Sequence, residues 1–159
     1  MCCGNLPAAP ESADLIAIIH PTQASHTTSL IRNSQQLRQW PRQAPILGGR
    51  LRLSNRFLNT TTTEFQHTTP ATADFGPLNV QIHRSGQPLA EGDDSCSYYE
   101  NPVLHSFPLS FTAGHEVQSV VGLGRRLDLG VGGDGVLGRT ISIVDMQRRI
   151  LGQGIIGRI

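Results

Sequence analysis

Stretches in which apolar and polar residues alternate recur along the chain. Residues 46–54 and residues 78–83 alternate with a period of two, as in Arg50-Leu51-Arg52-Leu53, which is the period of a strand with one buried face. Residues 15–19 form a short apolar run that predicts a buried strand. Weaker β-like patterns predict further strands at residues 60–65, 116–123, 126–131, 137–144 and 154–159, with a loop over residues 85–111.

About eight short strands with little helix predict an all-β fold, namely an eight-stranded antiparallel Greek-key β-sandwich or barrel. The 17 glycines and 10 prolines agree with a fold that has many turns. A length of 159 residues suits one domain. We predict that this domain spans residues 13–159, that residues 1–12 form a flexible tail, and that residues 21–45 are an insertion with a short helix at residues 29–40.

The charge balance excludes several classes of function. The chain has 13 basic residues, all of them arginine, against 12 acidic residues, for a formal net charge of +1. No global positive field therefore draws it to nucleic acid, and no lysine is present to act as a Schiff-base nucleophile. No apolar run approaches the roughly 20 residues that a membrane-spanning helix needs. The first residues lack the features of a signal peptide, so we expect a reducing compartment.

Six histidines and three cysteines are the part of the composition that hints at chemistry. The glycines between residues 122 and 135 lack the strand-then-helix context of a phosphate-binding loop, so we interpret them as turns. A Ser/His/Asp triad has no Gly-x-Ser-x-Gly elbow to support it. Cys2 and Cys3 are adjacent and lack the C-x-x-C spacing of a metal-transfer motif. The question that remains is whether any histidines are spaced to bind a metal.

Two segments of the chain contain its most specific motifs. The first is Val80-Gln81-Ile82-His83-Arg84-Ser85-Gly86, followed by Cys96 and Asn101-Pro102. The second runs from Gly135-Val136-Leu137-Gly138-Arg139-Thr140 to Gly152-Gln153-Gly154-Ile155-Ile156-Gly157. Together they resemble the copper/zinc superoxide dismutase family. The first is similar to that family's strand with two histidines one residue apart, which a half-cystine and an Asn-Pro follow, and the second is similar to its Ile-Ile-Gly-Arg-Thr strand and closing Ala-Cys-Gly-Val-Ile-Gly. The order and spacing agree over residues 46–159, which implies the same β-sandwich.

The resemblance implies that the family's metal ligands are missing here. Gln81 stands where the first histidine of the pair belongs and Val144 where another copper ligand belongs, so only His83 is in frame, as a vestige of the site. His105 falls in the region of the bridging ligand, and residues 101–127 contain no aspartate. One or two imidazoles make neither a copper site, which needs at least three, nor a tetrahedral zinc site. We therefore predict no metal, no other cofactor and no catalytic residue.

The resemblance also implies a lost disulfide and a retained contact surface. Cys96 matches the family's half-cystine, but Gln153 replaces its partner, so Cys96 is expected to be unpaired. The best retained positions are those that the resemblance places at the family's dimer contact. They are Gly86, Val136, Leu137, Gly138, Ile155, Ile156 and Gly157. The charge of Arg158, next to this set, argues against a family-like homodimer.

As a set, these departures resemble one branch of the family, the inactive superoxide-dismutase-like proteins that poxviruses carry in their virions. The shared features are His83-Arg84 followed by a glycine, the shortened Asp145-Met146-Gln147-Arg148 turn and the reduced zinc loop. The resemblance implies a protein of the virion and the host cytoplasm that self-associates or binds the host dismutase or its copper chaperone.

Two other functions stay open at this point. One is a residual copper-binding dismutase that uses His83, His105 and one further histidine. The other is a domain that delivers copper and uses Cys2 and Cys3 as its thiol site, although their spacing does not favour it.

Overall fold

The part of the chain that the structure describes forms eight β-strands. The computed structural model describes residues 14–22, 47–68, 75–89, 101–109 and 118–159. No helix occurs within these ranges, and so none that is long and apolar enough to cross a membrane. The strands are β1 (Leu15–Pro21), β2 (Gly49–Phe57), β3 (Thr60–His67), β4 (Leu78–His83), β5 (Val103–Leu109), β6 (Gln118–Gly122), β7 (Thr140–Val144) and β8 (Ile150–Arg158).

The strands form a nearly closed antiparallel barrel. Their order around the sheet is β5-β4-β7-β8-β1-β2-β3-β6, so β5 and β6 are the edges. Strand β8 joins the two halves, because it pairs with β7 on one side and with β1 on the other. The connections from β3 to β4, from β5 to β6 and from β6 to β7 cross between the halves. The predicted all-β fold of eight antiparallel strands is therefore confirmed.

The alternation along the strands sorts their side chains between core and surface. In β1, Leu15, Ala17 and Ile19 are at most 2% exposed, whereas Ile18 between them is 43% exposed. Side chains from both halves of the barrel meet in one hydrophobic cluster, with Phe65 as its largest fully buried member. Each buried aliphatic or aromatic side chain contributes roughly 1.5–3 kcal/mol, so this cluster is the main source of stability.

The strand predicted at residues 126–131 is wrong. These residues lie in the connection between β6 and β7. The backbone N–H of Leu127 donates to the hydroxyl of Thr61, 2.8 Å away, and the Leu127 side chain is 3% exposed. The leucines at positions 127 and 129 alternate because this connection packs against the core, where Leu129 is partly buried. The predicted strand at residues 137–144 likewise begins only at Thr140, because Gly138 has a φ of 80° and forms a turn.

The loop predicted over residues 85–111 contains a strand that the sequence pattern did not reveal. Strand β5 pairs with β4 along its length, and Phe107 and Leu109 of β5 are buried in the core. Pro108 lies between them and interrupts a β-like pattern. An edge strand tolerates proline because one of its sides has no hydrogen-bonded neighbour, and β5 is an edge strand.

Several sequence predictions lie outside the described residues. They concern the tail at residues 1–12, most of the insertion at residues 21–45 with its helix, the cysteine pair Cys2-Cys3, and Cys96.

Two glycines of β8 provide a matched test of the barrel's packing. A Cβ on Gly154 would lie 2.1 Å from the carbonyl oxygen of Ile18 in β1, whereas a Cβ on Gly157 would lie 3.8 Å from that of Ile16. We expect Gly154→Ala to lower the free energy of unfolding by about 1–3 kcal/mol and Gly157→Ala to change it by less than about 0.5 kcal/mol. Urea denaturation measures both, and equal effects would contradict this packing.

Candidate functional site

The site that the sequence singles out lies on the outer face of β4 and β7. Val80 and Ile82 point into the core and are 0% exposed, so Gln81 and His83, which alternate with them, lie on the opposite face of the sheet. The register pairs Gln81 with Ser142 of β7 and puts Ser142 on that same face. His83 and Ser142 are also 0% exposed, so this part of the outer face is covered.

Both ring nitrogens of His83 are hydrogen-bonded within the protein. Nδ1 lies 2.8 Å from the carbonyl oxygen of Asn101, and Nε2 lies 2.8 Å from Oγ of Ser142. A carbonyl oxygen only accepts, so Nδ1 carries the proton and donates it. In the neutral ring Nε2 then accepts from the Ser142 hydroxyl. The ring therefore joins β4, β7 and the residue two before β5.

Burial lowers the pKa of His83 below its usual value, and the hydrogen bond to the Asn101 carbonyl opposes that shift in part. A lowered pKa keeps the ring neutral near pH 7. The neutral ring is the form that the two hydrogen bonds require, so protonation state and geometry agree.

Asn101 also holds the segment that follows His83, residues 84–89, which we call the strap. Its Oδ1 accepts from the backbone N–H of Ser85 at 2.8 Å, and its Nδ2 donates to the carbonyl oxygens of Ser85 and Gln87 at 3.2 and 3.1 Å. Asn101 is 3% exposed. The carbonyl that orients His83 and the amide that orients the strap thus belong to one buried residue.

The two positions where the resemblance implies lost ligands differ in their surroundings. Gln81 is half-buried, and its Oε1 is buried with no hydrogen-bond partner within the described ranges. Val144 is 2% exposed and offers only an aliphatic side chain. Neither side chain provides an imidazole or a carboxylate.

His105 lies on the other side of the sheet from His83. The register pairs His105 with Ile82, whose side chain points into the core, and paired residues share a face. Burial, followed by the nearby charge of Arg125, lowers the pKa of His105. The structure therefore does not bring His83 and His105 together around one ion.

Among the described residues, the donor set on the outer face does not fit copper or zinc. Beside His83 it presents the hydroxyl of Ser142 and the amide of Gln81, whereas copper and zinc sites in proteins are built mainly from imidazole, thiolate and carboxylate. A metal at Nε2 of His83 would also displace the Ser142 hydroxyl. Across the part of the chain that the structure describes, no three His, Cys, Asp or Glu side chains come together.

A groove of about 480 Å³ lies beside this site, on the outer face of β1 and β8. Ile18 and Ile155, on these neighbouring strands, are each 43% exposed. The strap forms part of its wall through Pro88. Its lining includes Ile16, Ile18, Pro88, Gln153, Ile155 and Gly157. The groove is mainly apolar, with Gln153 as one of its polar groups.

The positions that the resemblance places at a dimer contact divide between groove and core. Ile155 and Gly157 line the groove, whereas Val136 and Ile156 are at most 1% exposed and face the core. Leu137 is partly buried against that core. The remaining two are Gly86 and Gly138, which touch through their backbones: a Cβ on Gly86 would lie 2.3 Å from the Gly138 oxygen.

Comparison with known proteins identifies the fold. No protein-family model and no curated protein sequence matches this chain. Among solved structures, a mutant of superoxide dismutase 5 from Candida albicans is similar with a TM-score of 0.55 over 94% of each chain, at 14% sequence identity. At that identity the likeness establishes the fold alone. The chain therefore has the copper/zinc superoxide dismutase fold, as the resemblance implied.

Three residues that organise the site had no role predicted from the sequence. Asn101 and Ser142 hold His83, and Thr140 donates its hydroxyl to the carbonyl of Gln87 in the strap at 2.7 Å. One feature could have indicated such a role for Thr140 and Ser142. They are the only polar residues of β7, and all five residues of this strand are buried. Buried hydroxyls in such a strand need partners.

Stability should depend on pH through His83. The pKa of His83 in the folded protein lies below its unfolded value of 6.5. Below pH 6.5 the unfolded chain therefore binds more protons than the folded protein does. The stabilisation that the neutral His83 ring gives the folded protein is complete above that pH and is lost as the pH falls towards the folded-state pKa. We expect the free energy of unfolding to fall below pH 6.5 in the wild type and to fall less steeply in His83→Gln.

Denaturation with urea at a series of pH values measures this difference. The pH dependence of the free energy of unfolding that persists in His83→Gln is expected to come from other groups, including His105, whose pKa is also lowered. Identical pH profiles for the two proteins would contradict a neutral, buried His83.

Proposed function

We propose that this protein has the superoxide dismutase fold without dismutase activity and acts by binding another protein. The docking surface in this proposal is the groove on β1 and β8. The occupant is a second protein of the same fold, either another copy of this chain or a dismutase of the host.

The bonding of His83 is the observation that carries the proposal that the protein is inactive. Its two ring nitrogens are bonded to Asn101 and Ser142 at 2.8 Å each. Gln81 and Val144 occupy the positions where the resemblance expects two further copper ligands. A redox cycle on copper needs several imidazole ligands around one ion, and His83 is the one histidine on this face of β4 and β7.

The exposed isoleucines of the groove support the proposal that the protein acts by association. Ile18 and Ile155 expose 43% of their surface on adjacent strands. Interface hot spots form where a partner's side chain fills such a pocket and excludes water. Ile155 and Gly157 also belong to the set that the resemblance places at a dimer contact, which is why the proposed occupant is a protein of the same fold.

The identity of the partner and the location of the protein rest on the resemblance to the poxvirus branch. We propose a virion protein that also acts in the host cytoplasm, where it binds the host superoxide dismutase; the copper chaperone that serves this dismutase is the alternative host partner.

Metal loading tests the proposed lack of activity. After incubation with copper and zinc and removal of unbound ions, we expect well under one metal ion per chain by mass spectrometry and no superoxide consumption above buffer. The double variant Gln81→His/Val144→His supplies two further imidazoles beside His83 and is expected to retain more copper than the wild type. Stoichiometric copper with turnover in the wild type would overturn this proposal.

Association is tested with charges placed in the groove and away from it. Light scattering at micromolar concentration should show a mass above the 17.2 kDa of one chain, or a complex with added dismutase. Ile155→Arg should weaken this association at least about tenfold, as loss of a hot spot does. Val120→Arg is the control, because Val120 is 64% exposed on β6 and does not line the groove. A wild-type chain that stays monomeric and does not bind the added dismutase would contradict the proposal.

A further inference from the structure

The strap at residues 84–89 is fixed to the barrel at alternate residues. The carbonyl of Ser85 accepts from the backbone N–H of Thr140 at 2.9 Å and from Asn101 at 3.2 Å. The carbonyl of Gln87 accepts from the Thr140 hydroxyl at 2.7 Å and from Asn101 at 3.1 Å. Two buried side chains therefore hold the first part of the strap.

Gln153 of β8 holds the end of the strap. Its Oε1 accepts from the backbone N–H of Leu89 at 2.9 Å, and its Nε2 donates to the carbonyl of Leu89 at 3.2 Å. One amide side chain thus satisfies both backbone groups of one residue, as a neighbouring strand would. Leu89 is 4% exposed, so these groups have little water as an alternative partner, and leaving them unbonded would be costly.

The strap also packs backbone against backbone on the turn before β7. A Cβ on Gly86 would lie 2.3 Å from the carbonyl oxygen of Gly138, which leaves no room for a side chain there. The strap is therefore held close to the barrel at its middle as well as at both ends.

Gln153 and Pro88 both line the groove, and Pro88 immediately precedes Leu89. The position of this part of the groove wall consequently depends on the bond between Gln153 and Leu89. Without that bond, the strap would keep its attachments at Ser85 and Gln87, and its end would be free to move away from β8.

We propose that Gln153 is a positioning residue for the groove: its amide latches the strap to β8 and fixes the wall that Pro88 forms. The latch consists of hydrogen bonds alone, so thiol reductants do not open it. A wall fixed before binding spares a partner the entropy of ordering it. The inference deepens the proposed function, because the groove is the docking surface in that proposal, but the latch itself can be tested without any partner.

Hydrogen exchange of the Leu89 amide in the full chain is the direct test. Gln153→Met keeps the length and shape of the side chain and removes both hydrogen bonds. We expect it to speed exchange at Leu89 at least about tenfold, with less than about a twofold change at Leu51 in the core of β2. The methyl signals of Ile155 in the groove should shift in the same variant, and a reductant should leave exchange at Leu89 in the wild type unchanged.

Gln66→Met is the matched control, since Gln66 is exposed on β3 and its side chain, within the described residues, bonds to Glu64 at 3.4 Å. Fast exchange of Leu89 in the wild type, or an unchanged rate in Gln153→Met, would overturn the latch. So would an equal acceleration at Leu51, because that pattern means general destabilisation. If Gln153→Met gives the expected exchange rates but Ile155→Arg leaves association unaffected, the latch is confirmed and the groove is refuted as the docking surface. Failure of the latch and failure of the docking surface are therefore distinguishable.

Discussion

The buried ring of His83 joins three separate parts of the chain. A neutral imidazole that is shut off from water needs one acceptor for its N–H and one donor for its bare nitrogen. The carbonyl of Asn101 and the hydroxyl of Ser142 meet these needs. Because the side chain of Asn101 also binds the strap, the same small network ties β4 to β7 and sets the path of the chain that leaves β4. Loss of one member would leave a buried polar atom of its neighbour without that hydrogen bond, which costs more than the bond itself contributes.

This network links the two halves of the proposed function. The outer face of β4 and β7 is where the resemblance expects metal ligands, yet His83 and Ser142 bond to one another there. The strap that the network anchors runs on to the groove, where Gln153 fixes its end. The proposed lack of metal binding and the proposed fixed shape of the groove thus both rest on the same hydrogen-bonded segment.

Strand periodicity made most of the fold predictable, because the strands first recognised each have one face in the core. Leu51 and Ile82 have the buried environment that the alternation predicted, whereas the apolar run at residues 15–19, which predicted a buried strand, buries Leu15 but leaves Ile18 43% exposed. The pattern failed where local residues conflicted with the fold: Pro108 obscured the edge strand β5, and the leucines of residues 126–131 mimicked a strand inside a connection. Periodicity also put Gln81 and His83 on one face. It does not reveal the partners of His83, because Asn101 contributes its backbone carbonyl, a group that every residue type has.

The state of the His83 ring tests this account most directly. Nitrogen-15 NMR of the folded protein near pH 7, recorded before and after addition of one equivalent of zinc or copper(I), reports the protonation and ligation of both ring nitrogens. We expect a neutral ring with its proton on Nδ1, a bare Nε2 that accepts from Ser142, and no change in either signal on addition of metal. A proton on Nε2, a charged ring, or a metal-dependent shift at Nε2 would contradict it.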